Sequence, residues 1–431
     1  MHILVTGAYG FIGRQIVTAL LGAGHTVICG ARQREMSGPL SQLDFIHCDF
    51  ATDTTVAAWL PRLQGIDAVV NCVGILRERG ANRFDTVHRA APVALFQACT
   101  QAGVNKVVQI SALGDATDTA FVASKHAADN ALMAMDLDWV VVRPSVVFTT
   151  RGSYGGTSLM RALAGVPYIV GVAGDGTQQL QPVTGEDLGA IVVAALARDR
   201  CRQTVIEAVS PVPISFKDFL LALRRWLGFA PPLLVLHMPI AMVKPLALLG
   251  EWFGRGPLGM TMFRMLQRGN VASAGAYNHL EAVTGVVTMT VEQALSRQAS
   301  FVQDRWHARL YLLKPLLRLS LAIIWIVSGL VGLLLPTGTA QAYGVDPGLS
   351  AALTSTLLMT VSVLDLVLGV LLLFAWCVSW VGVLMFLSLL AYSLLLGLAT
   401  PALWLEPLGG LLKNLALIPA VLIMLVLQRI R

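Results

Sequence analysis

The sequence predicts a doubly wound α/β domain on a parallel sheet, followed by an all-α bundle of four membrane-spanning helices. Three observations carry this. From residue 2 to about 145, short β-branched runs alternate with helical patterns, the mark of a parallel sheet with crossover helices. Of 31 Lys and Arg and 25 Asp and Glu residues, only Asp346, Asp365, Glu406 and Lys413 fall between positions 319 and 428. Charged residues make up 13% of the 431-residue chain, against roughly 25% in a soluble protein, and mean hydropathy is +0.69. Disorder and simple solubility are both excluded.

The strand runs are 3–5, 26–29, 45–48, 68–73, 107–110 and 140–142. From about 150 to 230 the pattern loosens into glycine-rich loops at 152–156 and 171–176 and an apolar helix at 187–196, which reads as a substrate-side lobe. Residues 1–230 therefore form one expected domain. Residues 231–318 are an expected connector. Its apolar run 233–252 is broken by His237, Pro239, Lys244 and Pro245, too interrupted to span, and fits helices lying against the bilayer or the bundle. The membrane domain is expected over 319–431, with spans at 319–335, 351–374, 378–398 and 408–428, since about 20 apolar residues cross roughly 30 Å of hydrocarbon. Trp325, Trp376, Trp380 and Trp404 supply part of an interfacial aromatic belt.

Arg305, Arg309, Lys314 and Arg318 form a basic collar before the first span, and Arg429 and Arg431 follow the last, while loops 336–350 and 399–407 hold no Lys or Arg. The positive-inside rule then places both ends in the cytosol. The first residues lack the basic region and apolar stretch of a signal peptide, which gives a multi-pass protein of the cytoplasmic membrane with a cytosolic N-terminal domain. A formal charge of +6 without Lys/Arg runs interleaved with aromatics argues against nucleic acid and for the lipid bilayer as partner. The six cysteines form no CxxC pair and have no His at zinc spacing. They read as buried thiols, and no metal site is expected.

Directly after the first strand comes Thr6-Gly7-Ala8-Tyr9-Gly10-Phe11-Ile12-Gly13, opening an amphipathic helix. Glycines there permit a tight turn and close backbone approach to a pyrophosphate seated on the helix N-terminus. The second strand ends Cys29-Gly30-Ala31-Arg32, where NAD sites usually carry an acidic residue for the ribose 2′-hydroxyl. Arg32 would instead neutralise a 2′-phosphate, favouring NADP(H) over NAD(H); the competing reading is that it solvates a strand end or stacks on adenine. Asp49, with Phe50 next to it, lies where a carboxylate can accept from the adenine amino group. Asn71-Cys72-Val73-Gly74 closes the fourth strand beside the cofactor.

These motifs, with Ile110-Ser111-Ala112-Leu113-Gly114, Ser124-Lys125, Arg143-Pro144-Ser145-Val146-Val147-Phe148 and Gln181-Pro182-Val183 before Glu186-Asp187-Leu188, resemble an extended or atypical short-chain dehydrogenase/reductase. The group is similar to the accessory dehydrogenase-like subunit of respiratory complex I. The resemblance covers roughly 1–230 and implies a Rossmann-type fold, with Pro144 shaping the loop beside the nicotinamide. It also implies a Ser-Tyr-Lys proton-transfer set, of which Ser111 and Lys125 match the serine and lysine, while the tyrosine position is Phe121. A phenyl ring moves no proton.

Three readings compete: a substitute donor such as Tyr154 or His88; nucleotide binding without turnover, as an assembly or sensor protein; and hydride transfer without a side-chain acid. Ser111 is equally readable as a strand-end helix cap, and Lys125 as a hydrogen-bond donor to the nicotinamide ribose in every reading. Nucleotide-sugar epimerase or dehydratase chemistry is a further alternative, weakened by Phe121.

In the C-terminal region, residues 400–407, Leu412-Lys413-Asn414 and Val363-Leu364-Asp365 with Gly369 resemble the DoxX-like membrane family over about 315–431. That resemblance supports topology more than activity, although distant relatives associate with quinone-linked redox proteins. A redox-type nucleotide site tethered to a bilayer implies a lipophilic substrate, such as a quinone, isoprenoid or lipid, or a membrane redox partner. Asp365 and Lys413-Asn414 should face the bundle interior, because an ionisable group at the bilayer centre costs at least about 2.5–3.5 kcal/mol. A direct pair, a polar pocket and outward snorkelling of Lys413 are the three arrangements weighed.

Overall fold

The structure is a computed structural model and describes residues 1–253, 259–334, 351–399, 401–405 and 410–428. The chain divides into two compact units, Met1–Ala308 and Arg309–Arg431.

In the first unit seven strands form one parallel sheet: β1 His2–Thr6, β2 Thr26–Ala31, β3 Asp44–His47, β4 Ala68–Asn71, β5 Lys106–Ile110, β6 Asp138–Pro144 and β7 Thr204–Ala208. Their spatial order is β7-β6-β5-β4-β1-β2-β3, with every neighbouring pair parallel. Both faces are covered, so the strands are apolar on both sides. Ile3, Val5, Val70, Val108 and Val142 point into one core, and Leu4, Val69, Val107 and Val141 into the other, with the two-residue period of a strand.

Helices α1 (Phe11–Gly22) and, later in the chain, Gly185–Ala197 cover the first face; α2 (Ala91–Ala102) and α3 (Ala120–Met133) cover the second. The Gly185–Ala197 helix lies close on α1 because Gly189 leaves room for Ala19, whose Cβ would stand 2.7 Å from any Cβ at 189. It is α5 in chain order, after α4 (Gly156–Gly165), and α6 (Phe216–Trp226) follows.

The chain after 230 departs from the sequence expectation of a separate connector. Helices α7 (Ile240–Phe253), α8 (Met260–Arg268), α9 (Ala276–Thr284) and α10 (Val291–Arg297) belong to the first unit. Leu280 completes the sheet core, and Val291, Ala294 and Leu295 join Phe148, Val170 and Phe219 in the core of the second lobe. Thr290 and Gln293 form a reciprocal cap at the start of α10.

In the second unit α11 (Val302–Leu334, which begins in the first), α12 (Ala351–Leu373) and α13 (Val378–Ala399), with Leu411–Gln428, are long and apolar enough to cross a membrane. The last of these contains α14 (Asn414–Gln428). The basic collar lies within α11, on the same continuous helix as the first span. The first two spans approach closely through small residues: a Cβ on Gly329 would meet the Leu366 nitrogen at 2.6 Å, and one on Gly369 the Ile326 nitrogen at 2.8 Å. The expected outer loop 336–350, Glu406, Arg429 and Arg431 lie outside the described residues.

Candidate functional site

The strand order reverses at β1, so a crevice opens between the carboxyl ends of β1 and β4, where doubly wound sheets bind ligands. The chain leaves β1 at Gly7 with φ +71°, and a Cβ there would stand 3.1 Å from the Cys72 carbonyl carbon and the Val73 nitrogen. The Gly7 N–H donates to the Gly30 carbonyl (2.8 Å) and the Gly10 N–H to the Gly7 carbonyl (2.9 Å), a tight turn that makes Gly10 the N-cap of α1. A Cβ on Gly13 would collide with the Gly7 carbonyl. This cradle of bare backbone at a helix N-terminus fits a pyrophosphate.

A buried ladder holds the crevice in register. The Thr6 hydroxyl donates to Asn71 Oδ1 (2.7 Å), and Asn71 Nδ2 donates to Gln109 Oε1 (2.8 Å), tying β1, β4 and β5 together.

Side chains around the loop separate into packing and mouth positions. Tyr9 stacks on Phe45 with ring centroids 6.4 Å apart, and Ile12 packs against the sheet core. Phe50 is buried edge-on to Trp59, so its ring belongs to the core and only its backbone is available to a nucleotide. Asp49 accepts the Ala51 N–H at the end of β3. Arg32 is exposed just past β2, with Nη1 3.5 Å from Asn82 Oδ1. The sequence reading missed Arg14 and Glu35, which form an ion pair of 2.9 Å while Arg14 Nε donates to the Tyr9 carbonyl of the glycine loop. Burial pushes the Cys72 thiol up to about 12, which leaves it protonated and chemically inert.

At the far end of the crevice lie the residues matched to proton transfer. Lys125 is buried on α3 and donates to the carbonyls of Val73 (2.7 Å) and Ile110 (3.1 Å), bridging the ends of β4 and β5. Burial pushes its ammonium down to about 8, against the pull of Asp129 four residues on. Phe121 is buried with Ala112 and Val122, and Phe84 and Met265 pack onto this cluster. Ser111 is turned away from it: its hydroxyl donates to buried Asp129 (2.7 Å), which also takes Arg143 (3.1 Å). The residue of this turn that packs with Phe121 is thus Ala112, one position beyond the serine picked out by motif. Pro144, at the end of β6, accepts the Leu113 N–H and so fixes this turn.

The two substitute donors are placed as follows. His88 sits in a turn of widened helix, Asp85–Ala90, and is fully buried. Its Nε2 accepts the Ile75 N–H (2.9 Å), which leaves the proton on Nδ1, facing the Ser124 hydroxyl at 2.8 Å. Burial, reinforced by Lys125, drives its pKa down to about 2. His88 is therefore held neutral, with both ring nitrogens engaged by the Ile75 N–H and the Ser124 hydroxyl. Tyr154 is half exposed in the 152–156 loop and stacks on Phe11 (6.4 Å), at the glycine-loop end rather than beside Phe121.

Helix α8 roofs this end. Met265 packs on the Phe121 cluster, the Met262 methyl fills the space beside Gly156, and Arg268 pairs with Asp118. The MTMFRM run was the available signal for these residues, and it lay in the supposed connector.

In the second unit, Asp365 accepts from the Ser328 hydroxyl (3.2 Å) and the Tyr392 hydroxyl (3.3 Å), while Asn414 Nδ2 donates to Ser393 Oγ (3.0 Å). Lys413 is exposed, and among the described residues no ion pair joins it to Asp365. Of the three arrangements weighed, the direct pair is the one this geometry rejects.

Residues 3–206 match the model of the NAD dependent epimerase/dehydratase family, and residues 322–422 that of the DoxX-like family. The chain is 29% identical over 227 residues to an uncharacterized protein of Mycobacterium tuberculosis, a match spanning 52% of this chain and 23% of that protein. It is 27% identical over 209 residues to the mitochondrial NADH dehydrogenase [ubiquinone] 1 alpha subcomplex subunit 9 of Arabidopsis thaliana, covering 45% of this chain and 50% of the relative. Among solved structures, UDP-glucuronic acid 4-epimerase from Bacillus cereus superposes with a TM-score of 0.51 at 18% identity, over 72% of this chain and 100% of its own. That likeness shows the fold. The chain thus joins an epimerase-type Rossmann domain, similar to the complex I subunit, to a DoxX-like membrane region of four apolar helices.

Proposed function

We propose that this protein holds a nicotinamide dinucleotide at the membrane, NADP(H) in preference to NAD(H), and presents it to a lipophilic partner. One observation carries the reading: the glycine cradle is complete, while the proton-transfer end is lined by Phe121, Ala112, Phe84 and Met265. Bound there, the cofactor supplies hydride chemistry. The chain's own residues bind and orient: the Gly7–Gly13 backbone takes the pyrophosphate, and Lys125, with two N–H groups used by Val73 and Ile110, keeps a third for a ribose hydroxyl. The apolar lining favours a substrate of the quinone, isoprenoid or lipid class, reduced by hydride with a proton taken from water or oxidised by hydride loss with its proton released to water.

A second reading, a noncatalytic assembly or sensor protein, is favoured by the engagement of Ser111 with Asp129. Sugar-nucleotide epimerisation is disfavoured, because it needs the tyrosine that Phe121 replaces. For orientation we propose a cytosolic N-terminal unit in the cytoplasmic membrane, supported by the collar from Arg305 to Arg318.

The test is to purify the full-length protein in mild detergent, identify the co-purifying nucleotide by mass spectrometry, and follow oxidation of added NADPH with and without a short-chain quinone or lipid extract. The expected outcome is a bound nucleotide and oxidation that depends on the lipophile. Retention without oxidation would establish the noncatalytic reading, and absence of nucleotide binding would overturn both.

A further inference from the structure

Helix α7 has two unlike sides. Val243 and Ala247, one turn apart, are buried with Phe263 and Ala173, and Gly250 is partly covered. At about 100° per residue, the exposed Leu248, Ala241, Pro245, Met242 and Leu246 fill the opposite arc, about 160° wide, without a charge among them. Met242 is 64% exposed and Leu248 50%. Of the helix's two ionisable residues, Glu251 is occupied with the Met260 N–H (2.7 Å), and Lys244 sits at the edge of the arc, where a lysine stem can lie on apolar surface with its ammonium in water. Before the helix come Leu233 and Leu234, both exposed and both bonded through their N–H groups to the carbonyl of exposed Tyr168.

We propose that α7 is an in-plane anchor, its Leu248-to-Leu246 arc seated in the lipid interface, so that the N-terminal unit docks on the bilayer by a surface of its own. The occupant follows from length and tether. Fourteen residues make about 21 Å of helix, short of the roughly 30 Å hydrocarbon core, so α7 cannot span and meets lipid only along its apolar side. The bilayer is at hand because α11 is continuous from Val302 to Leu334. Its 33 residues extend about 50 Å, longer than the hydrocarbon core is thick, so the helix that enters the bilayer begins in the unit that carries α7.

The experiment uses the full chain in nanodiscs, with Cys377, the exposed native cysteine, replaced by Ser. Single cysteines at Met242, Leu246 and Leu248, and at exposed Gln101 on α2 as reference, are labelled with an environment-sensitive fluorophore, and quenching by acyl-chain-brominated phospholipids is read. Several-fold stronger quenching at 242, 246 and 248 than at 101 is expected. Quenching no greater than at Gln101 would overturn the proposal. So would disulfide-linked dimers through 242 or 246 without lipid quenching, which would assign the arc to a second copy of the chain.

Discussion

At one end of the crevice Gly7, Gly10 and Gly13 leave the backbone bare, and any side chain at 7 or 13 meets the Cys72–Val73 peptide or the Gly7 carbonyl. At the other end the fold is kept but its hydroxyls are displaced: Phe121 stands in the tyrosine position, Ala112 beside it, and Ser111 faces Asp129. Binding geometry depends on backbone that tolerates almost no substitution, whereas proton transfer depends on two side-chain oxygens that can be lost without disturbing the core. The difference teaches that nucleotide binding and acid-base catalysis are separable within one crevice, and each half can be tested alone.

The sharpest break targets the cradle. Gly13→Val should lower nucleotide affinity by about 100-fold or more, about 3 kcal/mol, whereas Gly22→Ala in the same helix, where a Cβ meets nothing within 4 Å, should leave it unchanged. Fluorescence titration checks both, and equal effects would deny the cradle its role. At the other end, Phe121→Tyr with Ala112→Ser restores both hydroxyls beside Lys125, and turnover of a generic carbonyl substrate should rise by about 10²-fold. Brisk turnover already present in the parent would contradict the contrast between the two ends.

Lys125 sharpens the comparison through pH. Its pKa falls from 10.5 unfolded to about 8 folded, so between those values the unfolded chain binds the extra proton and stability rises with pH. Relative to Lys125→Met, the parent should gain up to about 3 kcal/mol from pH 8 to 10.5, read as the difference between two denaturation series. A flat difference would place the ammonium in solvent. The smallest effect is at the mouth: Arg32→Asp should shift preference from NADP toward NAD by roughly 1.5–3 kcal/mol, measured by titrating both nucleotides.

The glycine loop and six of the seven sheet strands were legible because strand periodicity and turn chemistry are local. Ser111 matches the motif serine, but its hydroxyl is engaged by Asp129, a contact between residues 18 apart in the chain that a local motif does not reveal. His88 was named from sequence as a substitute donor, and sequence does not reveal that the Ile75 N–H occupies its Nε2. The connector misled most. The run 233–252 is apolar but interrupted, and the return of Leu280, Val291 and Leu295 to cores formed 60 or more residues earlier shows that the chain around it is part of the first unit.

That return orders events during synthesis. Neither lobe of the N-terminal unit can close early, since Leu280 belongs to the sheet core and Val291, Leu295 and Ala308 belong to the core of the second lobe. Ala308 already lies on the helix that begins at Val302 and runs into the membrane. From Ala308 to the end of the first span at 335 is 27 residues, about 1–5 s at roughly 5–20 residues per second, so completion of the N-terminal cores and synthesis of the first span follow one another within seconds. A chain truncated near residue 230 would expose both unfinished cores and aggregate.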